Sequence, residues 1–339
     1  MDAPTIHFAF DPQSVQWPDI ERLDESDIAR APHRFVGGRN SWIAQTYVRL
    51  RRHLEARGWK ASAGPHAVPG AITVVHRDDA NDFRAGGHAT FLVVVRADRA
   101  PVVACDLAIV QNGIAPKRHE RFVPLWPQPG LRPRDVRRGV RIERIAYHGR
   151  VGAAPAWFYD ESLRRYLERR GVRFDVREAH WEDYETVDIA IAARDEAPEI
   201  LATKPATKVY NAWLAGVPAL AAPEPAYEEI RRSPLDFLEI HDAADVLRCV
   251  DRLRADPELY AKMVVNGLAR GADFSVQAVR RRWLRLFELE IVPAFEAARD
   301  RLASRRLWFI GAMARQKVES RLFRMRVAAE RSRLVERRA

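Results

Sequence analysis

Short apolar runs recur along this chain, each bounded by polar or glycine-containing stretches. AITVVH at 71–76, TFLVVV at 90–95 and DLAIVQ at 106–111 are continuous rather than alternating. That is the pattern of parallel strands covered on both faces. A glycine turn, RFVGGRN at 34–40, leads into helical spacing over 41–57, closed by Gly58. Residues 1–30 are acidic and carry few signals beyond IHFAF at 6–10. The alternation restarts with RIERIAYHG at 141–149, a strand ending in glycine. A helix over 156–170 closes at Gly171, and strands follow at 172–178 and 187–194. The run 203–222 reads as a helix closed by Gly216 and then a buried strand. A strand at 237–242, helices at 243–255 and 257–269, a helix over 276–299 interrupted at Pro293, and a long final helix complete the series.

Between the two series, ERFVPLWPQPGLRPRDVRRG at 120–139 carries prolines at 124, 127, 129 and 133 and reads as irregular. Strands alternating with helices on both sides of such a stretch imply α/β architecture with two Rossmann-like domains facing a cleft. The expected division is 1–125 for the first domain, 126–139 for the linker, 140–290 for the second domain and 291–339 for a basic helical tail. A length of 339 residues suits two domains, and 47% apolar residues suffice for two cores.

Charge changes this picture in one place. The net charge is +10, yet residues 301–339 alone hold twelve Arg or Lys against three Glu. The folded body is close to neutral, which argues against a nucleic-acid binder and points to a tail that meets an anionic surface. No apolar run approaches the roughly 20 residues needed to cross a bilayer. The N-terminus lacks a basic stretch followed by an apolar one, so no secretory signal is expected. Cys105 and Cys249 both read as buried free thiols, which fits a reducing cytoplasm.

The segment TKPATKVYNAWLAGVPALAAPEPAYEE at 203–229 carries the sharpest chemical signal. Pro205 suits the first turn of a helix. Lys204 and Lys208 near that start oppose the helix dipole, by about 0.3–1 kcal/mol per exposed charge. They make sense over an anion such as phosphate, and Asn211 shares their face. A solvated basic face without ligand fits the same spacing. Ligands of open α/β sheets sit beyond the carboxyl ends of strands, which adds Arg194 after its strand.

At AYHGR (146–150), NAWLAGVPAL (211–220) and the run 242–275, the chain resembles GT-B glycosyltransferases, in particular family 4. The resemblance covers 141–290 and extends to the first half in architecture. Thr203 and Asn211 stand where family 4 carries a glutamate pair. TKVYNAWLAGVPALAAP is also similar to the donor motif of the family 10 fucosyltransferases, whose diphosphate-gripping lysine falls on Lys208. The resemblance implies transfer of a sugar from a nucleoside-diphosphate donor, UDP- or GDP-linked, without metal or cofactor. Inversion and retention both stay open.

On that reading Arg150, Arg194, Lys204, Lys208 and Asn211 would hold the donor diphosphate. His76, Asp78 and Asp79, at the end of a strand in the first domain, would supply a general base; Asp78 or Asp79 also fits a helix N-cap. Gly38 and Asn40 in the glycine turn, with Gln111 and Asn112 after a strand, would meet acceptor or sugar; each also fits a plain turn. Glu224 and Glu228 would bind ribose, and Trp126 would line the cleft or pack at the hinge. The expected acceptor is a glycan or lipid-linked glycan, and no nucleic-acid partner is expected. The tail, with Trp308, Phe309, Ile310, Met313, Leu322, Phe323 and Met325 among arginines, reads as an amphipathic helix for the inner face of the plasma membrane. Packing on the first domain and a coiled-coil arm compete with that. The other functional class is a non-catalytic nucleotide- or phosphosugar-binding assembly protein.

Overall fold

The computed structural model describes residues 3–10, 17, 19–80, 87–114 and 116–336. The chain forms two compact units: Met1–Pro129 with Thr203–Pro205 and Val276–Ala339 make unit 1, and Gly130–Ala202 with Ala206–Ser275 make unit 2. In chain order, unit 1 begins with β1 (Thr5–Ala9), α1 (Glu25–Arg30), α2 (Gln45–Glu55), β2 (Lys60–Gly64), β3 (Ile72–His76), β4 (Phe91–Val95), β5 (Leu107–Val110) and β6 (Glu120–Phe122). Unit 2 holds β7 (Arg144–His148), α3 (Glu161–Arg169), β8 (Arg173–Arg177), β9 (Ile189–Ala192), α4 (Pro198–Leu201), α5 (Thr207–Leu214), β10 (Ala219–Ala221), α6 (Pro225–Ile230), β11 (Leu238–Glu239), α7 (Ala243–Ala255) and α8 (Pro257–Gly271). The chain returns to unit 1 with α9 (Val276–Leu286), a π-helical stretch (Phe287–Ile291), α10 (Val292–Ala298) and α11 (Arg306–Glu336).

Both sheets are parallel. Their orders are β2-β1-β3-β4-β5-β6 and β11-β10-β9-β7-β8. Within each unit the first strand lies between the second and the third. The chain therefore winds outward in two directions from a switch point beside its first strand. IHFAF, the one signal of the first 30 residues, falls on β1, which pairs with β2 on one side and β3 on the other.

The structure corrects several boundaries. Glu120–Phe122, at the start of the stretch read as irregular, is strand β6 beside β5, because its backbone completes the sheet edge. Trp126 is buried in unit 1, where its indole N–H donates to Thr46 Oγ1 at 2.8 Å. Residues 130–139 are fixed to unit 2: the Arg134 and Arg138 guanidinium groups hold Asp188 at 2.8 and 2.7 Å. The helix expected over 156–170 is a 3₁₀ turn at Ala156–Tyr159 and then α3, restarted by the Asp160 side chain accepting the Ser162 N–H. Residues 276–290 group with unit 1, because Trp283 and Phe287 bury in its core beside Phe295. Cys105 is buried and Cys249 half-buried, and both are free.

The tail packs on unit 1. Phe309 lies where a Cβ on Gly87 would come within 2.7 Å of its ring. The Gln316 amide donates to the Pro101 carbonyl at 2.6 Å and accepts the Val103 N–H at 2.7 Å. Phe323 and Val327 continue the buried stripe, and Arg305 holds Asp106 at 2.8 Å. No described helix is long and apolar enough to cross a membrane.

Candidate functional site

The switch point of unit 2 lies at the carboxyl ends of β7 and β9. β7 ends in Tyr147 and His148 and is followed by Gly149 and Arg150. Lys208, in the first turn of α5, donates to the His148 carbonyl, and its ammonium lies 4.0 Å from the centre of the Tyr147 ring. A Cβ on Gly149 would sit 2.5 Å from Lys208 Nζ and 2.7 Å from the Tyr147 hydroxyl. The glycine is what lets the lysine lie along this strand end. α5 starts after Ala206, which has no capping side chain, and its first turn holds no acid. A helix start of this kind favours an anion.

Arg194, two residues beyond β9, is buried. It pairs with Glu224 and donates to the Tyr227 hydroxyl at 2.8 Å, which keeps its charge in place despite burial. Burial pushes the Tyr147 phenol up to about 12, so it stays a neutral donor. His148 packs edge-on against Tyr184, with ring centres 4.4 Å apart. Burial, helped by Arg177 and Lys208, lowers its pKa to about 3. Its Nε2 is buried with no hydrogen-bond partner among the described residues. Arg150 is exposed and has no ion-pair partner among the described residues. Asn211 is buried in α5. The cluster thus holds the cations Arg150, Arg194 and Lys208, with Glu224 paired to Arg194 and Glu196 near enough to act on Tyr147.

Two expected members stand elsewhere. Glu228 is exposed and faces Arg231 at 3.6 Å, whereas Glu224 is taken up by Arg194. Pro205 precedes α5 rather than opening it. The Lys204 ammonium belongs to unit 1, where it pairs with Asp98 at 2.7 Å.

The switch point of unit 1 lies at the carboxyl ends of β1 and β3. His76 closes β3 and is fully buried. Its Nδ1 accepts the Asp78 N–H at 3.2 Å, its Nε2 has no partner among the described residues, and burial lowers its pKa to about 4. Asp79 is buried against Arg39 at 2.5 Å. Asp78 is the accessible member, its side chain 34% exposed; burial favours its neutral form, but Arg99 at 2.8 Å, with His76 and Arg39, outweighs it and holds the carboxyl below its usual range. Next to it Asp98 follows Ala97, whose φ of +52° is a strained backbone.

Gly37 and Gly38 have φ of +83° and +39°, and no described atom lies within 4 Å of where their Cβ would sit. The Asn40 side chain accepts from the Trp17 indole at 3.2 Å. Gln111 and Asn112 donate to the carbonyls of Thr203 and Lys204 at 2.5 and 3.2 Å. These three side chains therefore serve to hold chain segments. Sequence reasoning did not single out Tyr147, Tyr227, Arg39, Asp98 or Arg99. For Tyr147 the signal was its place just before a strand-ending glycine; for the others, which meet their partners across long sequence separations, there was none.

No protein-family model and no curated protein sequence matches this chain. Among solved structures, a sucrose-phosphate synthase from Thermosynechococcus elongatus superposes with a TM-score of 0.53 at 12% identity, over 84% of this chain and 98% of that one. AviGT4, a glycosyltransferase involved in avilamycin A biosynthesis, gives 0.47 at 14% identity over 86% and 98% of the two chains. Anabaena HepE in complex with UDP gives 0.46 at 10% identity over 84% and 99%. The first likeness shows the fold, and only the fold. The other two are too low to bear on it. The expected α/β fold with two Rossmann-like units, of the GT-B type, is the observed one.

Proposed function

We propose that this protein is a glycosyltransferase that takes its sugar from a nucleoside-diphosphate donor held at the switch point of unit 2. The observation that carries the reading is Lys208 lying along the bare backbone of Gly149, beside Tyr147 and the start of α5. Glycosyl transfer leaves negative charge on a departing diphosphate. Preorganised cations and helix N–H groups stabilise that charge without reorganising as the bond breaks. Lys208 supplies a point charge, Arg150 a second that closes on the phosphates, and Arg194, paired with Glu224, a guanidinium fixed in place behind them. The fold shared with a sucrose-phosphate synthase is compatible with this, although fold alone does not assign function. On the acceptor side we assign the general base to Asp78, the carboxylate with solvent access, and to His76 and Asp79 the positioning of that strand end. The acceptor is a glycan or a lipid-linked glycan.

Release of nucleoside diphosphate from a panel of UDP- and GDP-sugars, with and without acceptor, tests the reading. Turnover with one donor, lost in Lys208→Ala while the fold survives, is expected. A second reading is a non-catalytic nucleotide- or phosphosugar-binding protein. It is favoured by the state of the candidate bases: His76 is fully buried, and Asp78 and Asp79 are ion-paired. Tight nucleotide binding with no turnover of any donor would select it.

A further inference from the structure

α11 carries 31 residues, a length of about 45 Å at 1.5 Å per residue. The face formed by Phe309, Gln316, Phe323 and Val327 is buried against unit 1. At about 100° per residue, Leu307, Val318, Leu322 and Met325 fall on the opposite side, and all four are exposed. Small residues at 311, 314 and 329 complete a continuous apolar stripe along that outer face. The helix is therefore apolar on two opposite sides, and among the described residues one side is buried and the other exposed. Phe309, Met313 and Phe323, which the sequence groups with a membrane-facing set, belong instead to the covered side.

Charge decides what the open stripe fits. Arg315, Arg326 and Arg333 flank it on one side and Lys317, Arg321 and Arg324 on the other, all exposed. The acids of the helix whose side chains are described, Glu319 and Glu330, are half-buried and lie toward the docked side. A second copy of this helix would set arginines against arginines along the whole seam. A nucleic acid would use the cations but leave the apolar stripe in water. An anionic lipid surface satisfies both features: the stripe enters the boundary between headgroups and acyl chains, and the flanking cations meet the headgroups.

We infer that the outer face of α11 is a docking surface for an anionic membrane, with unit 1 fixed behind it. Nothing in unit 2 enters this inference.

Flotation of the full-length protein with phosphatidylcholine vesicles, and with phosphatidylcholine–phosphatidylglycerol vesicles, tests it. Binding to the anionic vesicles alone, weakened by added salt, is expected. The double substitution Leu322→Asp with Met325→Asp lowers the partition coefficient by about tenfold or more. Arg315→Gln with Arg321→Gln lowers it by about tenfold. Both variants keep the parent's thermal unfolding, because the four side chains are exposed. Equal binding to both vesicle types, or variants that float as the parent does, would overturn the inference. So would self-association in sedimentation that is lost with the Leu322 and Met325 substitutions while flotation is unaffected. RNA retention insensitive to those substitutions, without vesicle binding, would overturn it as well.

Discussion

The two sheets are wound alike, and each offers the carboxyl ends of its first and third strands at the same topological position. What stands there differs. In unit 1, Arg39, Arg99 and Lys204 each face a carboxylate, from Asp79, Asp78 and Asp98. In unit 2, Arg194 pairs with Glu224, whereas Lys208 donates to the backbone carbonyl of His148. Basic side chains stand at both strand ends, so their presence alone does not separate an anion site from a saturated strand end. Compensation does. A lysine held on a backbone carbonyl rather than on a carboxylate is the one we assign to a ligand's negative charge. A strand end whose lysine and arginines are each matched by a carboxylate offers a rigid, polar surface.

The comparison is broken most sharply by exchanging its lysines. Lys208→Ala should lower transfer by about 10²–10³, the usual loss of a preorganised donor to developing charge, and weaken nucleotide binding with it. Lys204→Ala, whose ammonium neutralises Asp98, should leave nucleotide affinity within a factor of about two or three, in keeping with a salt bridge near the surface. Donor turnover and calorimetric titration read the two effects.

On the other side of the comparison, Asp78→Asn should lower kcat by about 10² while leaving nucleotide affinity unchanged. Unchanged kcat would remove Asp78 from the chemistry. Smaller still is the effect of the glycines. Gly149→Ala drives a Cβ to within 2.5 Å of Lys208 Nζ and should weaken the nucleotide by about tenfold, roughly 1.4 kcal/mol. Gly38→Ala meets no described atom, so its cost is the backbone strain of φ +39°, seen in thermal unfolding rather than in affinity.

Acid separates the units least. His76 and His148 are both buried neutral, with pKa lowered to about 4 and about 3 from 6.5. A depressed histidine means that the unfolded chain binds more protons below its own pKa. Stability is therefore present above about pH 6.5 and falls as pH drops toward 4 or 3, by at most about 1.4 kcal/mol per pH unit for each residue. Equilibrium unfolding of His76→Gln and His148→Gln across that range should show a shallower decline than the parent. An equal slope would mean that these rings are not the acid-sensitive groups.

Much of this frame was legible in the sequence, because continuous apolar runs such as those of β3, β4 and β5 mark doubly covered strands wherever they occur. β1 was marked only as the apolar run IHFAF, and β6 was not legible. β6 sits among prolines and is made a strand by the neighbour it pairs with. The return of α9 to unit 1 is a tertiary fact, written in where Trp283 and Phe287 pack rather than in local spacing. At the site, Lys208 and Arg194 could be found because strand ends and helix starts are readable. Their partners could not: Glu224 and Gly149 meet them across 30 and 59 residues of chain, and only the fold brings them together.

The most direct test is calorimetric titration of UDP and of GDP into the parent protein and into Lys208→Ala, with Lys204→Ala as the control. One nucleotide should bind the parent and the Lys204 variant alike and lose at least about tenfold in the Lys208 variant, a difference of about 1.4 kcal/mol. Equal affinity in parent and Lys208→Ala, or dependence on Lys204 instead, would contradict an anion site at the switch point of unit 2.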